Sequence, residues 1–254
     1  MKKDELRVEV YETRVLMGAA AAAQVAEKIN RLLENQQFVN IVFAAAPSQN
    51  EFLAALRTAA VDWQRIRAFH MDEYLGLERD AVQGFGHYLR EILFDRVPLA
   101  QVYYLDGNAA DSRQECQRYS ALLDRFPTGI VCMGIGENGH IAFNDPPVAD
   151  FSDPLRVKPV LLDQACRQQQ VNDGCFSTLD AVPQRALTLT IPALMAAKFL
   201  YCIVPGSSKA AAVFNTLNKE IREEYPATII RTHPHAVLFL DKASAPPPVT
   251  PPSQ

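Results

Sequence analysis

The stretch Phe38–Phe52, FVNIVFAAAPSQNEF, decides the fold class. Its first nine residues form a nearly continuous apolar run, as a strand buried on both faces requires. The run ends in small residues and Pro47. From Asn50 to Ala60 the apolar positions return at helical spacing. A buried strand, a short turn and a helix, in that order, make the repeating unit of a parallel α/β sheet.

The same unit recurs in both directions. Upstream, Arg7–Tyr11 alternates like a strand, and Leu16–Glu34, LMGAAAAAQVAEKINRLLE, reads as an Ala-rich helix. Downstream, Ile66–Met71 is a short strand, Phe85–Phe94 a helix, Gln101–Leu105 extended and Asp111–Arg125 a helix. Gly129–Ile135, GIVCMGI, is a second buried strand. Strands at Ala186–Ile191 and Phe199–Val204 flank a helical turn at Pro192–Ala197. A helix over Ser208–Glu224 and a strand over Ala236–Asp241 follow. This alternation predicts an α/β fold with a mostly parallel central sheet covered on both faces. Residues 1–244 form the expected single domain, and 245–254 a Pro-rich tail.

Composition narrows the function. The 254 residues suffice for one sizeable core, and 48% hydrophobic with 21% charged residues excludes wholesale disorder. A net charge of −4 without a basic run argues against a nucleic-acid partner, which requires clustered Lys and Arg. No apolar stretch approaches the roughly 20 residues of a membrane span, and MKKDELRVEVYE is too charged for a signal-peptide core. Five cysteines without CxxC spacing read as reduced thiols, which places the protein in the cytoplasm. No His/Cys/Asp/Glu set has zinc-ligand spacing, so no metal is expected. GIGENG superficially fits GxGxxG, but HIAFNDPP follows where a helix should open, so no dinucleotide is expected either.

In parallel sheets ligands bind beyond the carboxyl ends of the strands. Three such ends carry polar residues. In AAAPSQ, Ala44–Gln49, a small-residue turn before a helix can offer N–H groups to a phosphate, with the Ser48 hydroxyl beside them; the same turn also reads as a plain connection. In FHMDEYLGL, Phe69–Leu77, Asp72 and Glu73 follow a short apolar strand. Asp72 is either a desolvated base or a turn cap, Glu73 a solvated neighbour, and His70 a candidate for the same pocket. In MGIGENGHIAFNDPP, Met133–Pro147, Gly139 permits tight geometry beside His140, with Asn138 and Asp145 near enough to orient the imidazole. Asp150–Phe176 is polar and Gln-rich, and reads as a lid or as a long surface excursion.

FHMDEYLGL resembles the FNMDEY-type segment of glucosamine-6-phosphate deaminases, and GIGENGHIAFNDPP resembles their G-[IV]-G-x-[DN]-G-H-I-[AG]-F-N-E-P segment. GSSKAAAV at Gly206–Val213 and PATIIRTHPHAVLFLD near the end are similar to further segments, and the likeness runs from about residue 8 to 243. The resemblance implies a modified Rossmann-like three-layer sandwich, shared with 6-phosphogluconolactonases, which usually carry GHTASLFP where this chain has GHIAFNDP. It implies conversion of an amino-sugar phosphate, glucosamine 6-phosphate or a close analogue, to fructose 6-phosphate and ammonia without a cofactor. Asp72 then moves the proton between C2 and C1, His140 opens the ring, Asp145 orients His140, and Asn138 stands at an Asp/Asn position. Ala45, Ala46, Ser48, Gly139, Lys209 and Arg167 fall in the substrate- and phosphate-binding positions. Three departures stand out: AAAPSQ replaces a GGTP-like loop, CRQQQVNDGCF stands where many members carry an Arg, with Arg167 out of register, and Asp145 replaces Glu. A lactonase-like hydrolase and a non-catalytic sugar-phosphate sensor are the alternatives. Relatives are often homo-oligomers, and nothing in the sequence sets the subunit number.

Overall fold

The computed structural model describes residues 2–78 and 80–246. In chain order the elements are β1 (Lys2–Lys3), β2 (Leu6–Tyr11), α1 (Arg14–Leu33), β3 (Val39–Phe43), α2 (Asn50–Leu56), β4 (Ile66–His70), β5 (Asp72–Tyr74), α3 (Phe85–Ile92) and β6 (Gln101–Tyr103). There follow α4 (Ser112–Arg125), β7 (Ile130–Met133), β8 (Val157–Leu161), α5 (Gln164–Asn172), β9 (Arg185–Leu189), α6 (Ile191–Met195), β10 (Phe199–Val204), α7 (Ala210–Asn218) and β11 (Ala236–Asp241).

The main sheet has the order β1-β2-β11-β10-β7-β3-β4-β6. All of its pairings are parallel except β1 with β2. The apolar runs explain why. Every residue of β7 and β11 is buried, so each strand needs cover on both faces. Two apolar layers provide it: one holds the inward faces of α1, α2 and α3, the other those of α4, α6 and α7. In α1 the buried residues Met17, Ala21, Val25, Ile29 and Leu33 recur every four residues, and Thr13 caps the start by accepting from Leu16 N at 3.3 Å. A Cβ at Gly18 would lie 2.8 Å from the backbone of Glu51 and Phe52, so glycine sets how closely α1 and α2 cross.

Three readings of the sequence need correction. The strand at Ala186–Ile191 does not join the parallel sheet: as β9 it pairs antiparallel with β5 on one side and β8 on the other, in a separate three-stranded sheet. The Asp150–Phe176 excursion contains β8, locked to β9 over five register pairs, and helix α5. The helix expected through Glu224 ends at Asn218, because Lys219–Glu224 carries no apolar face to bury and stays largely exposed. Of the Pro-rich tail, Pro247–Gln254 lies outside the described residues. Among the described residues no helix is long and apolar enough to cross a membrane.

The small sheet sits where it can hold the loop after β7. Asn144 donates to Leu189 O at 2.9 Å, and Phe143 N donates to the Thr188 hydroxyl at 3.0 Å. Leu189 N in turn donates to Met71 O at 2.8 Å, which ties β9 to the junction of β4 and β5.

Candidate active site

β10, β7, β3 and β4 are adjacent and parallel, so their carboxyl ends form one row. From β3 the chain proceeds to β4 and β6 on one side, while β7 and β10 lie on the other. The order reverses at β3, which is where open α/β sheets form ligand crevices. A cleft opens there. It is lined by Ala44–Ala46, Ser48 and Gln49 after β3, Met71 and Asp72 after β4, Gly134–Gly136, His140, Ala142 and Phe143 after β7, and Lys209 after β10. Phe85 of α3 and Gln169 and Gln170 of α5 complete it.

Asp72 and His140 therefore face one cavity. Asp72 is buried, and desolvation, helped by the negative charge of Glu73, raises its carboxyl well above the usual carboxylate range. His140 rests over Gly136, where any Cβ would overlap the imidazole ring. Its Nδ1 is 2.7 Å from Asn138 Oδ1 and 3.0 Å from Asp145 Oδ1. Asn138 also donates its amide to Asp145 Oδ1 at 3.0 Å and accepts from His140 N at 3.1 Å. Burial pushes the Asp145 carboxyl up, but the hydrogen bond and charge of His140, with Asn138 and the Asp163 N–H, outweigh it and hold the group below its ordinary value. Aspartate, one methylene shorter than glutamate, still reaches the imidazole. Ala142, inside the same loop, has φ +48°, a left-handed conformation unusual for a residue with a Cβ.

Lys209 is 4% exposed and has no ion-pair partner among the described residues. Desolvation lowers its pKa, against the pull of the Asp173 and Glu137 charges. A buried cation in this condition costs stability until an anion arrives. Its turn is held from the neighbouring strand: Asp241 at the end of β11 accepts from Gly206 N at 3.1 Å, and Gly206 has φ +93°. The loop after β3 is held mainly through its backbone. The Tyr88 hydroxyl donates to Ala46 O at 2.7 Å, and the buried Gln49 amide donates to Ile203 O at 3.1 Å.

The structure brings together Asp72, His140, Ala45, Ala46, Ser48 and Lys209 in the cleft wall. Asn138 and Asp145 stand behind His140 rather than in the wall. Gly139 is not a lining residue; at φ +88° it shapes the turn, and its carbonyl accepts from Ala227 N at 3.0 Å. Arg167 is not a lining residue either: its guanidinium donates to Leu179 O at 2.6 Å and Val182 O at 3.0 Å, which braces the segment after α5. His70 is fully buried away from the cleft, where Nε2 accepts from Leu105 N at 2.9 Å and desolvation lowers its pKa to about 4. Glu73 is half-buried and engaged rather than a free surface carboxylate. It accepts from Phe85 N at 3.0 Å and Gly86 N at 2.8 Å, and so caps α3 and fixes Phe85 at the cleft.

Sequence reasoning missed the amide side chains. Gln49, Gln169 and Gln170 are all buried at the cleft, and Gln169 Oε1 accepts from Glu137 N at 2.8 Å, which ties α5 to the loop after β7. For Gln169 and Gln170 the signal was the Gln-rich run after Arg167, which read as part of a lid or of a long surface excursion and singled out neither residue. A larger cavity of about 330 Å³ lies beyond Glu73, beside His87, Arg90 and Tyr104, but neither Asp72 nor His140 lines it.

An acid and an imidazole meeting at the switch point of a doubly covered parallel sheet define an α/β protein with acid–base equipment for a small ligand. A sequence model described as glucosamine-6-phosphate isomerases/6-phosphogluconolactonase matches residues 12–154. The chain is 33% identical over 224 residues to a glucosamine-6-phosphate deaminase of Bacillus cereus, covering 88% of this chain and 82% of that one. A second, from Bacillus thuringiensis, is 32% identical over the same length. A solved monomeric glucosamine-6-phosphate deaminase superposes with a TM-score of 0.86 at 28% identity, covering 94% of this chain and 98% of that one. The 6-phosphogluconolactonase of Thermotoga maritima shares the fold, with a TM-score of 0.76 at 19% identity over 93% of this chain and 100% of that one. The chain thus belongs to the glucosamine-6-phosphate isomerase/6-phosphogluconolactonase family.

Proposed function

We propose that the protein is a glucosamine-6-phosphate deaminase, releasing ammonia and fructose 6-phosphate from glucosamine 6-phosphate and water. One observation carries this reading: a desolvated carboxylate, a braced imidazole and a buried cation without an ion-pair partner among the described residues line a single cleft.

Each group has a distinct task. His140 takes the proton of the C1 hydroxyl and returns one to the ring oxygen, which opens the pyranose. Asp145 and Asn138 keep Nδ1 engaged, so the ring holds its orientation through the proton transfer. Asp72 then removes the proton from C2 of the open chain, giving an enolamine, and delivers a proton to C1. The resulting 2-imine adds water and expels ammonia, leaving the 2-ketose. The ammonium on C2 favours ionised Asp72, which offsets the desolvation that raises it. Lys209, with the Ser48 hydroxyl beside the AAAPSQ turn, receives the phosphate.

The cleft volume is about 60 Å³. The cleft is open on one side, and in this reading it widens to seat a hexose phosphate. Helix α5, which presents Gln169 and Gln170, is the lid in this reading. The deciding assay is a panel of 2-amino and 2-hydroxy sugars, with and without the 6-phosphate, read for ammonia and ketose, with a 6-phospholactone as the competing substrate. Ammonia and ketose from the amino-sugar phosphate alone support the proposal. Lactone hydrolysis without ammonia release defeats it.

A further inference from the structure

Helix α5 brings a third group to the buried side of the imidazole. The Cys166 thiol, 1% exposed, lies against the Asp145 carboxylate. One ring nitrogen of His140, an Asp145 oxygen and Cys166 Sγ all fall within 4.8 Å of one another, and Nδ1 is the nitrogen 3.0 Å from Asp145 Oδ1. The three residues are too irregularly spaced to resemble a zinc motif; only the packing of α5 onto the loop after β7 assembles them.

The donor set is selective. Nitrogen, carboxylate oxygen and thiolate sulfur suit zinc-like ions, whereas magnesium and calcium require oxygen shells. Zinc–ligand bonds of about 2.0–2.3 Å in a tetrahedron place neighbouring donors roughly 3.3–3.8 Å apart. The 3.0 Å His140–Asp145 separation and the 4.8 Å outer limit bracket that range. Asn138 Oδ1, 2.7 Å from the same Nδ1, stands by as a further oxygen donor.

We propose that His140 Nδ1, the Asp145 carboxylate and Cys166 Sγ form a binding site for a thiophilic divalent cation of the zinc class, and that its occupation switches off the acid–base pair. Binding converts the thiol to thiolate, with the proton passing to solvent. Coordination takes the lone pair of Nδ1, so Nε2 keeps the remaining ring proton and cannot accept one from a sugar hydroxyl. The ion also bridges the loop after β7 to α5 and so pins the helix that carries Gln169 and Gln170. The inhibitory half rests on the deaminase reading; the binding half rests on geometry alone.

The test is a cobalt(II) titration of the intact chain, followed by absorbance. Expected are one cobalt per chain with a thiolate-to-cobalt charge-transfer band, displacement by zinc, loss of the band in Cys166→Ser and its retention in Cys175→Ser. Zinc should lower kcat about 10²-fold, reversibly by chelation, the scale of a lost acid–base group. Cys166→Ser, checked for folding by circular dichroism and replaced by Cys166→Ala if it fails, should keep, on adding zinc, whatever turnover it shows without it. A native chain without the band, or a band unchanged in both Cys166 variants, overturns the site. Equal zinc inhibition of native and variant enzyme overturns the switch. A chain inactive on every sugar but showing the Cys166-dependent band refutes the deaminase reading and leaves the metal site standing.

Discussion

The loops after β7 and β3 line the same cleft but are built on opposite plans. In Gly134–Asp145 position is enforced by side chains: Asn138 and Asp145 clamp His140, Asn144 ties the loop to β9, and Gly136 leaves room for the imidazole. In Ala44–Gln49 the residues facing the cleft are small apart from Gln49, and position comes from the Tyr88 contact to Ala46 O and from a single side-chain tie, Gln49 to Ile203 O. The difference teaches how each loop tolerates change. A network of side chains fixes chemistry and admits few substitutions. On the proposed reading, a backbone cradle fixes a shape that small residues such as those of AAAPSQ can line, while Lys209 supplies the charge.

On this view, damage to the first loop should appear in kcat and damage on the Lys209 side in KM. The largest effect is expected from Gly136→Ala, whose Cβ overlaps the His140 ring. Steady-state kinetics should show kcat lowered about 10²- to 10⁴-fold, the contribution of a positioned acid–base group, with near-native circular dichroism. Lys209→Met should instead raise KM for the phosphorylated sugar roughly 10- to 100-fold, as loss of a charge-assisted hydrogen bond does, with kcat changed less. The same substitution removes a buried cation that lacks an ion pair among the described residues, so the ligand-free variant should melt higher than the native protein, and inorganic phosphate should raise the native Tm alone.

pH separates the two loops further. In the proposed reaction Asp72 takes the C2 proton and must be ionised to do so, and its folded pKa is raised by desolvation. Activity should therefore fall as pH falls through a value above the ordinary 3.8, and kcat/KM should show its acid limb displaced upward. Lys209→Met should leave that limb in place. The smallest effect belongs to Ala142→Gly. Relief of the left-handed conformation at φ +48° should raise stability in urea by about 1 kcal/mol or less, set against the entropy a glycine adds to the unfolded chain.

The main sheet was legible because its strands are long apolar runs: FVNIVF, GIVCM and FLYCIV cannot be buried except between two layers. The small sheet was not. β5 has three residues with Glu73 in the middle, and β8 contains a proline and a lysine, so neither shows a pattern that separates strand from loop. The site divides the same way. Asp72, His140 and Lys209 directly follow strands or sit in glycine-marked turns, where local sequence identifies the strand end. The buried amides of Gln49, Gln169 and Gln170 come from a turn and a helix that meet only after folding. Arg167 and His70 were misread for the mirrored reason: each is a chemically able side chain near the right strand or helix, but on a face that packs against backbone carbonyls or the Leu105 N–H instead of the cleft.

The claim beneath all of this is that Asp72 is the base that works on carbon. The direct measurement is turnover of glucosamine 6-phosphate in deuterium oxide, with nuclear magnetic resonance of the fructose 6-phosphate formed. The native protein is predicted to place solvent deuterium on one face of C1, and Asp72→Asn, still binding the sugar, to place none and release no ammonia. Deuterated product from Asp72→Asn at the native rate would contradict the account.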